Sequence, residues 1–165
     1  MKNLYIDFDG VIVDTIRVTY DMLDRLEVDK KDFEKMSEFY YNLNWKQLLK
    51  MTPVINDSFD CIKKLYASGK FNIAILTHVN SLDEAVAKIN FIRKYLKDTT
   101  IIPVPREISK TKMCYTKDSI LVDDYSGNLQ EWVKENGIGI QFSIDLNKDK
   151  GFKVIDRLDK LIDMF

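Results

Sequence analysis

Short apolar runs alternate with amphipathic stretches along most of the chain. Leu4-Tyr5-Ile6, Phe71 to Leu76, Thr100 to Val104, Ser119 to Val122 and Ile138 to Phe142 are each only a few residues long, and they predict five buried strands. Between them apolar positions recur at helical spacing. Val18, Met22 and Leu26 predict a helix from about Thr15 to Leu26, with Asp14-Thr15 as its cap. A second helix starts at Asp57 or Ser58 and is stopped by Gly69. Ala85, Ile89, Ile92 and Leu96 mark a third over about 82–96, Asn128 to Asn136 a fourth, and Ile155, Leu158 and Ile162 a last one over about 152–164. Pro103 and Pro105 are expected to halt the third strand.

Strands that are continuously apolar are buried on both faces. Alternating with helices, they predict an α/β three-layer sandwich around a five-stranded parallel sheet with right-handed crossovers. Residues 27–55 break the rhythm. Phe33, Met36, Phe39, Tyr40, Tyr41, Leu43, Trp45, Leu48 and Leu49 mix with charged residues and contain no strand, which predicts two short helices packed on each other. Together with the first helix, residues 15–55 form a small helical cap inserted after the first strand; residues 1–14 and 56–165 form the core.

The length, 165 residues, allows one domain with at most a small insertion. A net charge of -1 gives no support to binding of a nucleic-acid polymer. Cys61 and Cys114 sit in apolar stretches with no histidine at metal spacing, so free thiols in a reducing compartment are expected. The chain enters its first strand almost at once and no apolar run reaches bilayer length, so a cytoplasmic protein without a membrane partner is expected; self-association is left open.

Chemistry concentrates where strands end. In Asp7-Phe8-Asp9-Gly10 the two carboxylates are two residues apart, so an extended chain sends both to one side. Their repulsion is relieved by a hard divalent cation between them or by a shared proton. Gly10 lets the backbone turn and a ligand approach it closely. Thr77 and the pair Asp123-Asp124 also end apolar strands. Ligands of open parallel sheets bind beyond that edge. Oxygen ligands for Mg2+, a carboxylate able to attack phosphorus, a second able to move a proton, a hydroxyl and a lysine make up a phosphoryl-transfer inventory. Lys110 and Lys112 both precede Asp123 at suitable distances, and the spacing slightly favours Lys112. His78, the only histidine, fits a leaving-group pocket or an ordinary turn equally well and stays outside the catalytic set. Phe39, Tyr40, Tyr41 and Trp45 offer either a stacking wall for a nucleobase or cap packing; Tyr41 and Trp45 are the stacking candidates.

The order Asp7-x-Asp9-Gly10, a strand ending at Thr77, a lysine, and a strand ending in Asp123-Asp124 resembles the four motifs of the haloacid dehalogenase superfamily of phosphatases. Ile120-Leu121-Val122-Asp123-Asp124-Tyr125, with Asn128-Leu129, Trp132 and the early helical insertion, is similar to the 5'(3')-deoxyribonucleotidases and their small bacterial relatives. The resemblance implies a Rossmann-like fold and a Mg2+-dependent phosphatase in which Asp7 is the nucleophile. Asp9 becomes the general acid/base, which also offers its main-chain carbonyl to the metal. Thr77 and a lysine hold phosphate, Gly10 lies against the substrate, and Asp123 and Asp124 complete or support the metal shell. The implied substrate is a small phosphorylated metabolite, with a deoxynucleoside monophosphate first and a sugar phosphate second. Two other classes use similar parts. A signalling receiver domain carries its acidic pair on the first strand, against the order here; a catalytically silent binding module is the other alternative, for which the sequence offers no motive because every acidic position is present.

Overall fold

The structure, a computed structural model, describes residues 1–165. Six strands form one parallel sheet: β1 (Lys2–Ile6), β2 (Phe71–Val79), β3 (Thr100–Pro105), β4 (Ile120–Asp123), β5 (Ile138–Phe142) and β6 (Lys153–Ile155). Their order is β3-β2-β1-β4-β5-β6, so the chain winds outward in both directions from β1. Six α-helices lie between strands, α1 (Thr15–Arg25), α2 (Phe33–Asn42), α3 (Trp45–Met51), α4 (Ser58–Ala67), α5 (Leu82–Arg93) and α6 (Ser126–Lys134), and a seventh, α7 (Leu161–Met164), follows the last strand. None is long and apolar enough to cross a membrane.

Alternation along the strands builds the layers. Leu4, Ile6, Ile73, Ile75, Ile120 and Val122 enter one apolar core with Phe59, Ile62 and Leu65 of α4, Ile92 of α5 and Leu161 of α7. Leu76, Val104 and Leu121 turn to the other face and meet Leu129 and Trp132 of α6.

The sixth strand corrects the five-strand expectation. Residues 152–164 are not one helix: Lys153–Ile155 pair with Ile140–Phe142 of β5, and only Leu161–Met164 are α-helical. Buried Ile155, Leu158 and Leu161 recur every three residues, which mimics a helical face, while the β-branched pair Val154-Ile155 closes the sheet edge. Pro103 does not halt β3 but pairs within it opposite Thr77, and the strand ends at Pro105 opposite Val79. β3 is an edge strand, where a missing N–H can face outward.

The chain leaves the sheet into α1–α3 and returns along a shared path. Val13 faces Val54 in an antiparallel bridge, the Asp14 N–H donates to Pro53 O at 3.0 Å, and the Ile55 N–H donates to Ile12 O at 2.9 Å. Asp14 does not cap α1 with its side chain; it pairs with Arg17 instead.

Candidate active site

β1 stops at Ile6, and Asp7 continues its line with an N–H bond of 2.9 Å to Val122 O on β4. Asp123, the last residue of β4, lies alongside. Lys110, in a single 3₁₀ turn over Lys110–Lys112, sends its ammonium between them, 2.7 Å from Asp7 Oδ1 and 2.7 Å from Asp123 Oδ2. Its side chain is only 2% exposed. Asn128 Nδ2 donates to Asp123 Oδ2 at 2.9 Å, and the Tyr125 N–H to Asp123 Oδ1 at 2.9 Å. Lys112 points away: its side chain is 67% exposed and its ammonium lies 3.7 Å from Glu135. Positions two apart on a tight turn project in different directions, so Lys110 and not the expected Lys112 reaches the carboxylates.

Oxygens of Asp7, Asp123 and Asp124 lie within 4.8 Å of one another. One lysine does not balance three carboxylates. Burial, opposed by Lys110 and reinforced by Asp123 and Asp9, pushes the Asp7 pKa up to about 7. Burial and the neighbouring Asp123, Asp7 and Asp9 hold Asp124 well above the ordinary carboxylate range. An oxygen-only donor set with surplus negative charge fits a hard divalent cation such as Mg2+.

Gly10 has φ +75, and a Cβ there would lie 2.4 Å from Asp124 Oδ2. The turn that brings Asp9 round therefore requires glycine both for its backbone and for the room Asp124 occupies.

Asp9 is held apart from this cluster. Thr15 donates to its Oδ1 at 2.7 Å, so the expected capping hydroxyl serves the site instead. Its Oδ2 accepts from Lys88 at 2.5 Å and from the buried Thr77 hydroxyl at 3.4 Å. Burial works against the Lys88 ammonium, yet Asp9 and Glu84 outweigh it and raise its pKa.

A cavity of about 310 Å³ opens over Asp7, Asp9, Asp123 and Asp124. Tyr40 of α2 and Trp45 of α3 wall it from above, and His78, Asn80 and Arg106 line it from the core. The rings of Tyr40 and Trp45 stack at 6.3 Å and 25°, and Trp45 Nε1 donates to Tyr40 O at 3.2 Å. Tyr41 is 65% exposed and does not line the cavity, whereas its neighbour Tyr40 does. One helical step, about 100°, separates the two faces. His78 Nε2 lies 2.9 Å from Ile108 O, and burial lowers its pKa. A larger cleft of about 910 Å³ between α1, α2 and α3, lined by Met22, Phe39 and Leu48, holds none of these carboxylates.

Sequence reasoning passed over Lys88 and gave Asn128 no role. The signal for Lys88 was present: Ser81-x-x-Glu84 is a capping box, and Glu84, Lys88 and Ile92 share one helical face. Charges on that face read as a solvated stripe until the face proves buried.

Solved structures of similar shape span essentially the whole chain. A haloacid dehalogenase-like hydrolase from Streptococcus pneumoniae superimposes with a TM-score of 0.63 at 13% identity, covering 100% of this chain and 99% of its own. The fold is that of the haloacid dehalogenase-like hydrolases. The HAD-hydrolase YfnB of Bacillus subtilis, bound to magnesium, matches with a TM-score of 0.65 at 10% identity over 99% of this chain and 97% of its own. The D,D-heptose 1,7-bisphosphate phosphatase of B. bronchiseptica, complexed with magnesium and phosphate, gives 0.62 at 11% identity over 99% and 97%. At such identities the likeness is one of fold. No protein-family model and no curated protein sequence matches the chain. The HAD-like strand order β3-β2-β1-β4-β5-β6 also differs from the 2-1-3-4-5 order of receiver domains.

Proposed function

We propose that the protein is a Mg2+-dependent phosphomonoesterase that works through an aspartyl-phosphate. The observation that carries this reading is the shared ammonium of Lys110, which ties Asp7 to Asp123 within a three-carboxylate cluster at the carboxyl edge of the sheet. Phosphatase neighbours of the same fold, one complexed with magnesium and phosphate, support it.

In this reading Asp7, Asp123 and Asp124, with the Asp9 main-chain carbonyl, would hold the metal. When bound, Mg2+ neutralises the phosphate and lets a carboxylate approach an anion. Lys110 occupies Asp7 Oδ1, which leaves Oδ2 as the Asp7 carboxylate oxygen without a hydrogen bond. An oxygen of Asp7 attacks phosphorus, the bond to the leaving oxygen breaks, and Asp9 gives that oxygen a proton. Asp9 then takes a proton from water, the water oxygen attacks phosphorus, and the bond to Asp7 breaks, releasing phosphate. Lys110 balances charge on the phosphoryl oxygens and Gly10 keeps the backbone close, whereas Thr77, expected to hold phosphate, is buried away from the cavity and acts through its hydrogen bond to Asp9. Residues 15–55 act as a cap over the cavity, with the paired crossing of residues 12–14 and 53–55 as its hinge.

A cavity of this size, roofed by Tyr40 and Trp45, favours a small phosphorylated metabolite, with a deoxynucleoside monophosphate first in line. Here Tyr40 takes the stacking role first given to Tyr41, and Trp45 backs it. Phosphate release from a panel of deoxynucleotides and sugar phosphates, with Mg2+ and with a chelator, tests the reading against Asp7→Asn. Metal-dependent release lost in the variant is expected. Wild-type turnover by Asp7→Asn would overturn the nucleophile assignment, and release highest on a sugar phosphate would discard the nucleotide.

A further inference from the structure

Two buried lysines serve the site, and they serve different carboxylates. Lys110 belongs to Asp7 and Asp123. Lys88 enters from α5 and is 1% exposed, and it makes no ion pair with Asp7, Asp123 or Asp124. Its ammonium reaches Asp9 Oδ2 at 2.5 Å, Glu84 Oε1 at 2.7 Å, His78 O at 2.9 Å and Thr77 Oγ1 at 3.2 Å.

The anchor behind it is rigid. Glu84 is itself buried, and its Oε2 accepts from the Asn80 N–H at 2.7 Å and from Asn80 Nδ2 at 2.9 Å. The Trp45 ring centroid lies 4.6 Å from Lys88 Nζ and that of Phe8 5.6 Å, so aromatic faces cover the ammonium where protein oxygens do not. So enclosed, Lys88 does not line the cavity over the carboxylates, and its partners are protein oxygens.

A carboxylate offers about four acceptor directions. On Asp9, Lys88 and Thr77 take those of Oδ2 and Thr15 takes one of Oδ1, so the free direction lies on Oδ1. We infer that Lys88 is the positioning residue for Asp9: held by Glu84 and roofed by Trp45, it fixes the carboxyl that exchanges a proton with the leaving group. This rests on the phosphatase reading above. It also joins α3 to the chemistry, since the ring that closes over Lys88 belongs to the helical insertion.

A lysine that merely supports the fold would lower all rates alike. One that positions the acid matters most where the leaving group most needs a proton. The experiment is therefore kcat/KM for a series of substituted phenyl phosphates of graded leaving-group basicity, with Mg2+, for wild type, Lys88→Met and Asp9→Asn. Wild type should depend weakly on leaving-group basicity. Lys88→Met should lose about tenfold on p-nitrophenyl phosphate and about 10²-fold or more on phenyl phosphate, approaching the slope of Asp9→Asn. In the Asp9→Asn background the lysine substitution should cost little further. An unchanged slope, or an equal loss across the series, overturns the proposal. If Lys88→Met does not fold, as judged by thermal melting, Glu84→Gln must steepen the slope in its place; a folded Glu84→Gln with the wild-type slope overturns it equally. Wild type inactive on every phosphate ester would instead strike the phosphatase reading itself, and the inference with it.

Discussion

Gly10 and Asp124 compete for the same space: a Cβ on Gly10 would sit 2.4 Å from Asp124 Oδ2 and 2.8 Å from its Cγ. The glycine that follows the first carboxylate pair is thus shaped by a residue more than a hundred positions away. Gly10→Ala should lose stability by about 1–2 kcal/mol, since φ +75 strains any residue with a Cβ. It should lose metal-dependent activity more severely, because Asp124 must shift. A thermal melt beside a Mg2+ titration of phosphate release separates the two effects.

Lys110 and Lys112 should part company. Lys110→Met leaves Asp7 and Asp123 without their shared cation, and breaking such a buried pair costs about 3–5 kcal/mol. Activity should fall below detection. Lys112→Met removes an exposed charge beside Glu135 and should change stability by no more than about 0.5 kcal/mol. Chemical denaturation and phosphate release on both variants decide it; equal effects would remove Lys110 from the site.

The aromatic wall makes a sharper demand on Tyr40 than on Tyr41. Tyr40→Ala should raise KM for a deoxynucleoside monophosphate about tenfold, the equivalent of one lost stacked base, with little change for a small aryl phosphate. Tyr41→Ala should leave both substrates at wild-type values. Steady-state kinetics on the two substrates read this directly.

Far from the site, Arg157 and Lys64 meet Asp159 at 3.1 and 2.9 Å and tie the C-terminal segment to α4. The hydrogen bond from Arg157 leads the effects that hold Asp159 well below the ordinary carboxylate range. A depressed folded pKa means that the contribution is complete above the unfolded value of about 4 and fades as pH falls through it. Asp159→Asn should therefore cost about 1 kcal/mol at pH 7 and progressively less from pH 4 towards pH 2, measured by denaturant unfolding across that range.

The local pattern of the chain was enough for much of this. Apolar runs mark five of the six strands, and because a parallel sheet presents its strand ends along one edge, Asp7 and Asp123-Asp124 follow as neighbours from sequence order alone, while β2 runs two residues past Thr77, which meets Asp9 from within the strand. Those positions depend on neighbours a few residues away, which is what a one-dimensional pattern records. The rest depended on direction and burial. Lys110 rather than Lys112 turns inward because of the phase of one 3₁₀ turn, and Tyr40 rather than Tyr41 faces the cavity because of one step round α2. β6 needed the free edge of β5, and three buried residues at a spacing of three disguised it as a helix. Lys88 was hardest to see. A lysine is worth burying only where partners distant in sequence wait for it, and Asp9, 79 positions earlier, meets it only once β1, β2 and α5 have packed.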